Sequence, residues 1–99
     1  MTTYMVEVQL PYSPSQEFFQ LIPAQRMKIA ELMSQRKLLS YTLSADRMKL
    51  WIVMVAKDII EAKEILSQQP MDKYFTYTSF RELMFHEMAG LMFPAVSLN

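Results

Sequence analysis

The sequence predicts an α+β fold: one four-stranded antiparallel sheet with two helices packed on one of its faces. Three observations carry that prediction. Apolar and polar residues alternate at period two in separate short stretches, most clearly at the start of the chain. Two other stretches repeat at helical spacing behind N-cap signals. The six segments follow in the order strand, helix, strand, strand, helix, strand.

The first strand is Tyr4 to Leu10, with Val6, Val8 and Leu10 on one face and Met5, Glu7 and Gln9 on the other. Pro11 ends it, because proline brings no ladder donor. Ser13 reads as an N-cap with Pro14 at the first helical position and Gln16 closing a capping box. Pro23 cannot sit inside a helix, so the spacing predicts a short turn over Ser15 to Leu21 and a main helix from Pro23 to about Arg36. Met27, Ala30 and Met33, flanked by Ile29 and Leu32, form its inward face.

Leu38 to Ser44 alternates again, with Leu39, Tyr41 and Leu43 against Ser40, Thr42 and Ser44, and Lys49 to Ala56 is rich in branched and aromatic residues. Ala45 to Met48 is a connection of hairpin length, so these two strands pair antiparallel. Asp58 and Glu61 mark the start of the second helix, which runs to about Gln68 with Ile59, Ala62, Ile65 and Leu66 inward. Pro70 stops it, and Tyr74 to Phe80 is the last strand. The sum is the ferredoxin-like βαββαβ plan in a single domain over residues 1–99. Residues 82–99 form a C-terminal extension, apolar enough to dock on a neighbouring subunit.

The Lys49 to Ala56 strand is apolar on both faces, with Leu50, Ile52 and Met54 on one and Trp51, Val53 and Val55 on the other. Two helices cover one face only. A second copy of the sheet packed face to face covers the other, so a homodimer or a higher homo-oligomer is expected.

Composition excludes several kinds of chemistry. The 99 residues hold no cysteine, one histidine and one glycine, with ten acidic and ten basic residues. That removes disulfides, thiolate nucleophiles, multi-histidine metal centres within one chain and glycine-rich phosphate loops. Zero formal charge gives no field toward nucleic acid. No basic stretch precedes a long apolar run at the N-terminus, and the longest apolar run, Leu50 to Ala56, falls well short of the ~20 residues of a membrane span. The expectation is a cytoplasmic protein without membrane, nucleic-acid, metal or cofactor partners. Of the ten methionines, Met27 and Met33 read as core filler, while Met84, Met88 and Met92 recur as a helical stripe or a docking tail.

Several short motifs together resemble muconolactone isomerase: Val8-Gln9-Leu10-Pro11, Ala24-Gln25-Arg26, Arg36-Lys37-Leu38, the junction Gln69-Pro70-Met71, and the later His86. Where that family carries a glycine before the lysine, this chain has Arg36. The resemblance, spanning about Tyr4 to His86, implies a dimeric α/β-barrel with small-molecule clefts. It also implies a cofactor-independent isomerase that moves a proton on a small lactone or carbonyl compound.

Candidate catalytic residues are Glu7 and His86. A glutamate in an apolar cleft has its neutral form favoured, which raises its pKa toward proton-shuttle values; the plainer alternative is an ion pair. An imidazole is the side chain whose ordinary range lies near neutrality, and His86, in a helical Glu82 to Glu87 segment, shares a face with Glu82. Tyr41, Trp51, Tyr77 and Arg26 are candidate substrate-binding residues, offering aromatic walls with one polar tip each and a guanidinium for a carboxylate. Two alternatives stand beside the isomerase: a non-catalytic ligand-binding or assembly protein of the same fold, and an antibiotic-biosynthesis-type monooxygenase with His86 as a haem ligand.

Overall fold

A computed structural model describes residues 1–89. Four strands form one antiparallel sheet: β1 (Thr2–Gln9), β2 (Leu38–Leu43), β3 (Lys49–Ala56) and β4 (Thr76–Leu83). Their order across the sheet is β2-β3-β1-β4. The helices are α1 (Gln16–Gln20), α2 (Ile22–Ser34) and α3 (Ile59–Ser67), and one 3₁₀ turn, Asp72–Tyr74, leads into β4. This is the ferredoxin-like α+β fold that the segment order predicts, with its two crossover connections each carrying helix.

Register fixes which side chains meet. Val6 pairs with Ile52 on β3 and Phe80 on β4, and Tyr4 pairs with Met54. Tyr4, Val6 and Val8 are therefore on one face with Leu50, Ile52, Met54 and Ala56, all buried. Ile29 and Leu32 of α2 and Ala62, Ile65 and Leu66 of α3 close the core over them. The opposite face carries Met5, Glu7, Trp51, Val53 and Val55.

Four local expectations are corrected. The cap of α1 is Ser15, whose Oγ accepts from the Phe18 amide at 3.2 Å, and not Ser13. The buried stripe of α2 is Gln25, Ile29 and Leu32, spaced i, i+4, i+7. Met27, two residues from both Gln25 and Ile29, falls on the opposite side and is 75% exposed; Ala30 is exposed too. In β2 the register shifts between Leu38 and Ser40, so Leu38 enters the core in place of Leu39 while Tyr41 keeps its place opposite Ile52.

The fourth correction concerns the chain after the last strand. β4 starts at Thr76 and continues to Leu83, because β1 offers Tyr4 opposite Glu82 and Thr3 opposite Leu83. Those ladder hydrogen bonds win over a weak helical pattern. Glu82 is thus a strand residue, residues 85–89 are irregular, and Glu82 and His86 share no helix face. Met84 and Met88 are exposed without forming a helical stripe. Met92 and the rest of the extension, residues 90–99, lie outside the described residues.

Candidate functional site

The sequence-predicted site residues fall on opposite sides of the sheet. On the outer face, Lys49 Nζ donates to Glu7 Oε2 at 2.7 Å, Trp51 Nε1 to Glu7 Oε1 at 3.4 Å, and Thr78 Oγ1 to Glu7 Oε2 at 3.2 Å. The Lys49 hydrogen bond holds the Glu7 carboxyl below its ordinary range, opposed by its own desolvation. The expected upward shift is therefore reversed: Glu7 is an ion-paired carboxylate beside Trp51. Arg26 is exposed on α2 and takes part in no ion pair among the described residues. His86, beyond β4, has a buried Nε2 without a hydrogen-bond partner among the described residues.

Tyr41 and Tyr77 are brought together on the helix side by two residues that sequence reading did not single out. Gln25 and Gln69 are only 4% and 3% exposed. Gln25 Nε2 donates to Tyr41 Oη at 3.0 Å and to Gln69 Oε1 at 2.9 Å. Gln25 Oε1 accepts from the Met71 amide at 3.0 Å. Gln69 Nε2 donates to the Leu66 carbonyl at 3.0 Å and to Tyr77 Oη at 3.1 Å. Tyr77 Oη in turn donates to Asp72 Oδ1 at 2.5 Å.

A hydrogen-bonded chain thus runs from edge strand β2 through α2 and the α3–β4 connection to edge strand β4. The 3₁₀ turn explains its far end. Its tight winding places Asp72 five residues before Tyr77 on the same side of the chain, within hydrogen-bond reach of the phenol. Burial pushes the Tyr41 phenol up, with the Gln25 amide opposing. Burial and the hydrogen bond to Asp72 push the Tyr77 phenol up strongly. Both phenols stay protonated throughout the neutral range; Tyr77 donates to Asp72, while Tyr41 accepts from Gln25.

The chain ends at an open cleft of about 370 Å³ lined by Lys63, Leu66, Ser67, Asp72, Tyr77 and Phe80. Tyr77 and Phe80 form its aromatic wall, ring centroids 6.0 Å apart, and Lys63 Nζ lies 5.5 Å from the Phe80 centroid. A phenol held protonated and a carboxylate stand at 2.5 Å in the wall of this open cleft, a hydrogen-bond donor and its acceptor.

No protein-family model matches the chain, and no curated protein matches it. The chemistry therefore rests on the geometry alone. Among the described residues no three His, Cys, Asp or Glu side chains gather to hold a metal ion, and no helix is long and apolar enough to cross a membrane. Gln25 had a signal in the sequence: it is the one polar residue on the apolar i, i+4, i+7 stripe of α2. Gln69 stood in the sequence only within the Gln69-Pro70-Met71 junction motif, and Asp72 and Lys63 carried no signal, since their meeting depends on how the α3–β4 connection winds.

Proposed function

We propose that the protein is a cofactor-independent, isomerase-like protein that moves a proton on a small lactone or carbonyl compound, working as a homodimer. The observation that carries this reading is the Tyr77–Asp72 pair at the mouth of the cleft, backed by the buried amides of Gln69 and Gln25. The resemblance to muconolactone isomerase agrees with it. In this reading the Asp72 carboxylate takes a proton from the carbon next to a carbonyl. The developing enolate forms as that C–H bond breaks, and Asp72 returns the proton to a second carbon of the conjugated system. Tyr77 holds Asp72 Oδ1 in place, and among the described residues Oδ2 has no hydrogen-bond partner. Glu7 with Trp51 forms a second carboxylate site on the outer face, which faces the partner copy in the proposed dimer.

Proton exchange tests the reading. The protein is incubated with muconolactone in deuterated buffer, and hydrogen–deuterium exchange at the carbon beside the carbonyl is followed by NMR. Catalysed exchange that is lost in Asp72→Asn and kept in Glu7→Gln is the expected result. Loss in Glu7→Gln alone moves the chemistry to the outer face.

A second reading, a non-catalytic ligand-binding or assembly protein, is favoured by one observation: both buried glutamines are fully engaged by the protein's own groups. Binding of the lactone without exchange decides for it.

A further inference from the structure

Two opposite charges line the cleft, and among the described residues neither is in an ion pair. The ion pairs among the described residues are Lys28–Glu31, Lys49–Glu7 and Lys73–Glu17. Lys63 and Asp72 are in none of them, although both line the same cleft. Their charged atoms do not come within 4.0 Å of each other. Asp72 is half-buried and satisfied on Oδ1 by Tyr77. Lys63 rests its ammonium over the face of Phe80, so the cleft already has an ammonium-accepting wall. Tyr77 and Phe80, both half-buried, supply apolar surface in the same cleft.

A ligand with a single charge fits this arrangement poorly. A plain carboxylate attracted to Lys63 meets the like charge of Asp72; a plain amine drawn to Asp72 meets Lys63. A small molecule carrying both charges satisfies both groups and leaves neither repelled. We propose that this cleft binds a free amino acid with an apolar or aromatic side chain, its ammonium on Asp72, its carboxylate on Lys63 and its side chain against Tyr77 and Phe80. The volume of about 370 Å³ suits one such molecule, being near the lower end of small-ligand sites. The inference rests on the reading above only in placing the ligand site in this cleft. It holds equally for a ligand that is released unchanged.

The test is a ¹H–¹⁵N NMR titration of the full chain with L-phenylalanine, and with phenylacetate and phenethylamine as its singly charged counterparts. The expected result is saturable shifts at the backbone amides of Lys63, Ser67, Asp72 and Phe80 with L-phenylalanine. Each counterpart should bind about tenfold or more weakly. Lys63→Met and Asp72→Asn should each lower L-phenylalanine affinity to about that of a counterpart. Asp72→Asn keeps an oxygen for the Tyr77 hydroxyl, and an unchanged Tm establishes that either variant is folded. Equal or tighter binding of phenylacetate or of phenethylamine overturns the proposal. So does the absence of saturable shifts with L-phenylalanine, L-leucine and L-methionine. Deuterium exchange is a separate measurement: amino-acid binding without lactone exchange leaves this inference standing and removes the enzymatic one.

Discussion

Gln25 makes hydrogen bonds to three residues, one on β2 and two in the α3–β4 connection, and this decides what its loss does. Replacing it with leucine keeps the apolar stripe of α2 but leaves the buried Met71 amide without its acceptor and Gln69 Oε1 without its donor. A buried polar group left unpaired costs about 1–3 kcal/mol, so Gln25→Leu should destabilise by at least that, measured by urea unfolding. Gln69→Leu removes the partner amide and its bond to Tyr77, and the double variant should cost less than the sum of the singles. Additive losses would show that the two amides act independently. At the same scale, Glu7 gives a pH signature. Its folded-state pKa lies below the ordinary 4.5, so its pairing stabilises the fold above that pH and is lost as pH falls through the lower folded value. Glu7→Gln should therefore be less stable than the parent near neutrality, with the gap closing on acidification, as read from Tm against pH. Residue identity alone pointed to the tyrosines, because a phenol has a recognisable dual character. It did not reveal Asp72 or Lys63, whose relevance comes from a connection that winds them toward Tyr77.

Elements were more legible than sites, because their signals are local. The Asp58 cap works as its spacing implies: Asp58 Oδ1 accepts from the Glu61 amide at 2.8 Å, and Glu61 Oε1 accepts from the Lys57 amide at 2.8 Å. The bulge in β2 and the rotation of α2 were not legible, since both are set by what packs across the core rather than by neighbours in sequence. The end of α2 connects the two levels. The Lys37 amide bonds to the Leu32 carbonyl at 2.9 Å and the Arg36 amide to the Met33 carbonyl at 2.9 Å. This is a Schellman ending with Arg36 in the left-handed position, at φ 62°. Glycine is the usual residue there, and an L-residue with a Cβ costs about 1–2 kcal/mol in that conformation. Glycine's greater freedom in the unfolded chain returns part of that, about 0.5–1 kcal/mol. Arg36→Gly should thus raise stability by about 0.5–1 kcal/mol, seen as a higher urea midpoint at unchanged slope. A lower midpoint would mean that the Arg36 side chain contributes more than its backbone strain removes.

The whole molecule poses the question of its second sheet face. Helices cover one side, and the core there is continuous from Phe18 to Phe75. The other side mixes apolar residues (Met5 at 37% exposure, half-buried Trp51 and Val55, and buried Val53) with the Glu7–Lys49 ion pair. An antiparallel sheet tolerates water on one face when that face is polar, but this one is not uniformly so. A two-fold copy placed face to face would bury the Met5, Trp51 and Val55 surfaces against their equivalents, with the ion pair kept intact on each protomer. The pattern also limits where disruption should act. Met5→Lys puts an ammonium group on the face that the second copy would have to cover. It does not touch the helix-side core, because Met5 faces away from Tyr4 and Val6. The parent protein should have the mass of a dimer by light scattering at micromolar concentration. Met5→Lys should have the mass of a monomer, with its far-ultraviolet circular dichroism unchanged. A parent that runs as a monomer would show that water, and not a second copy, covers this face.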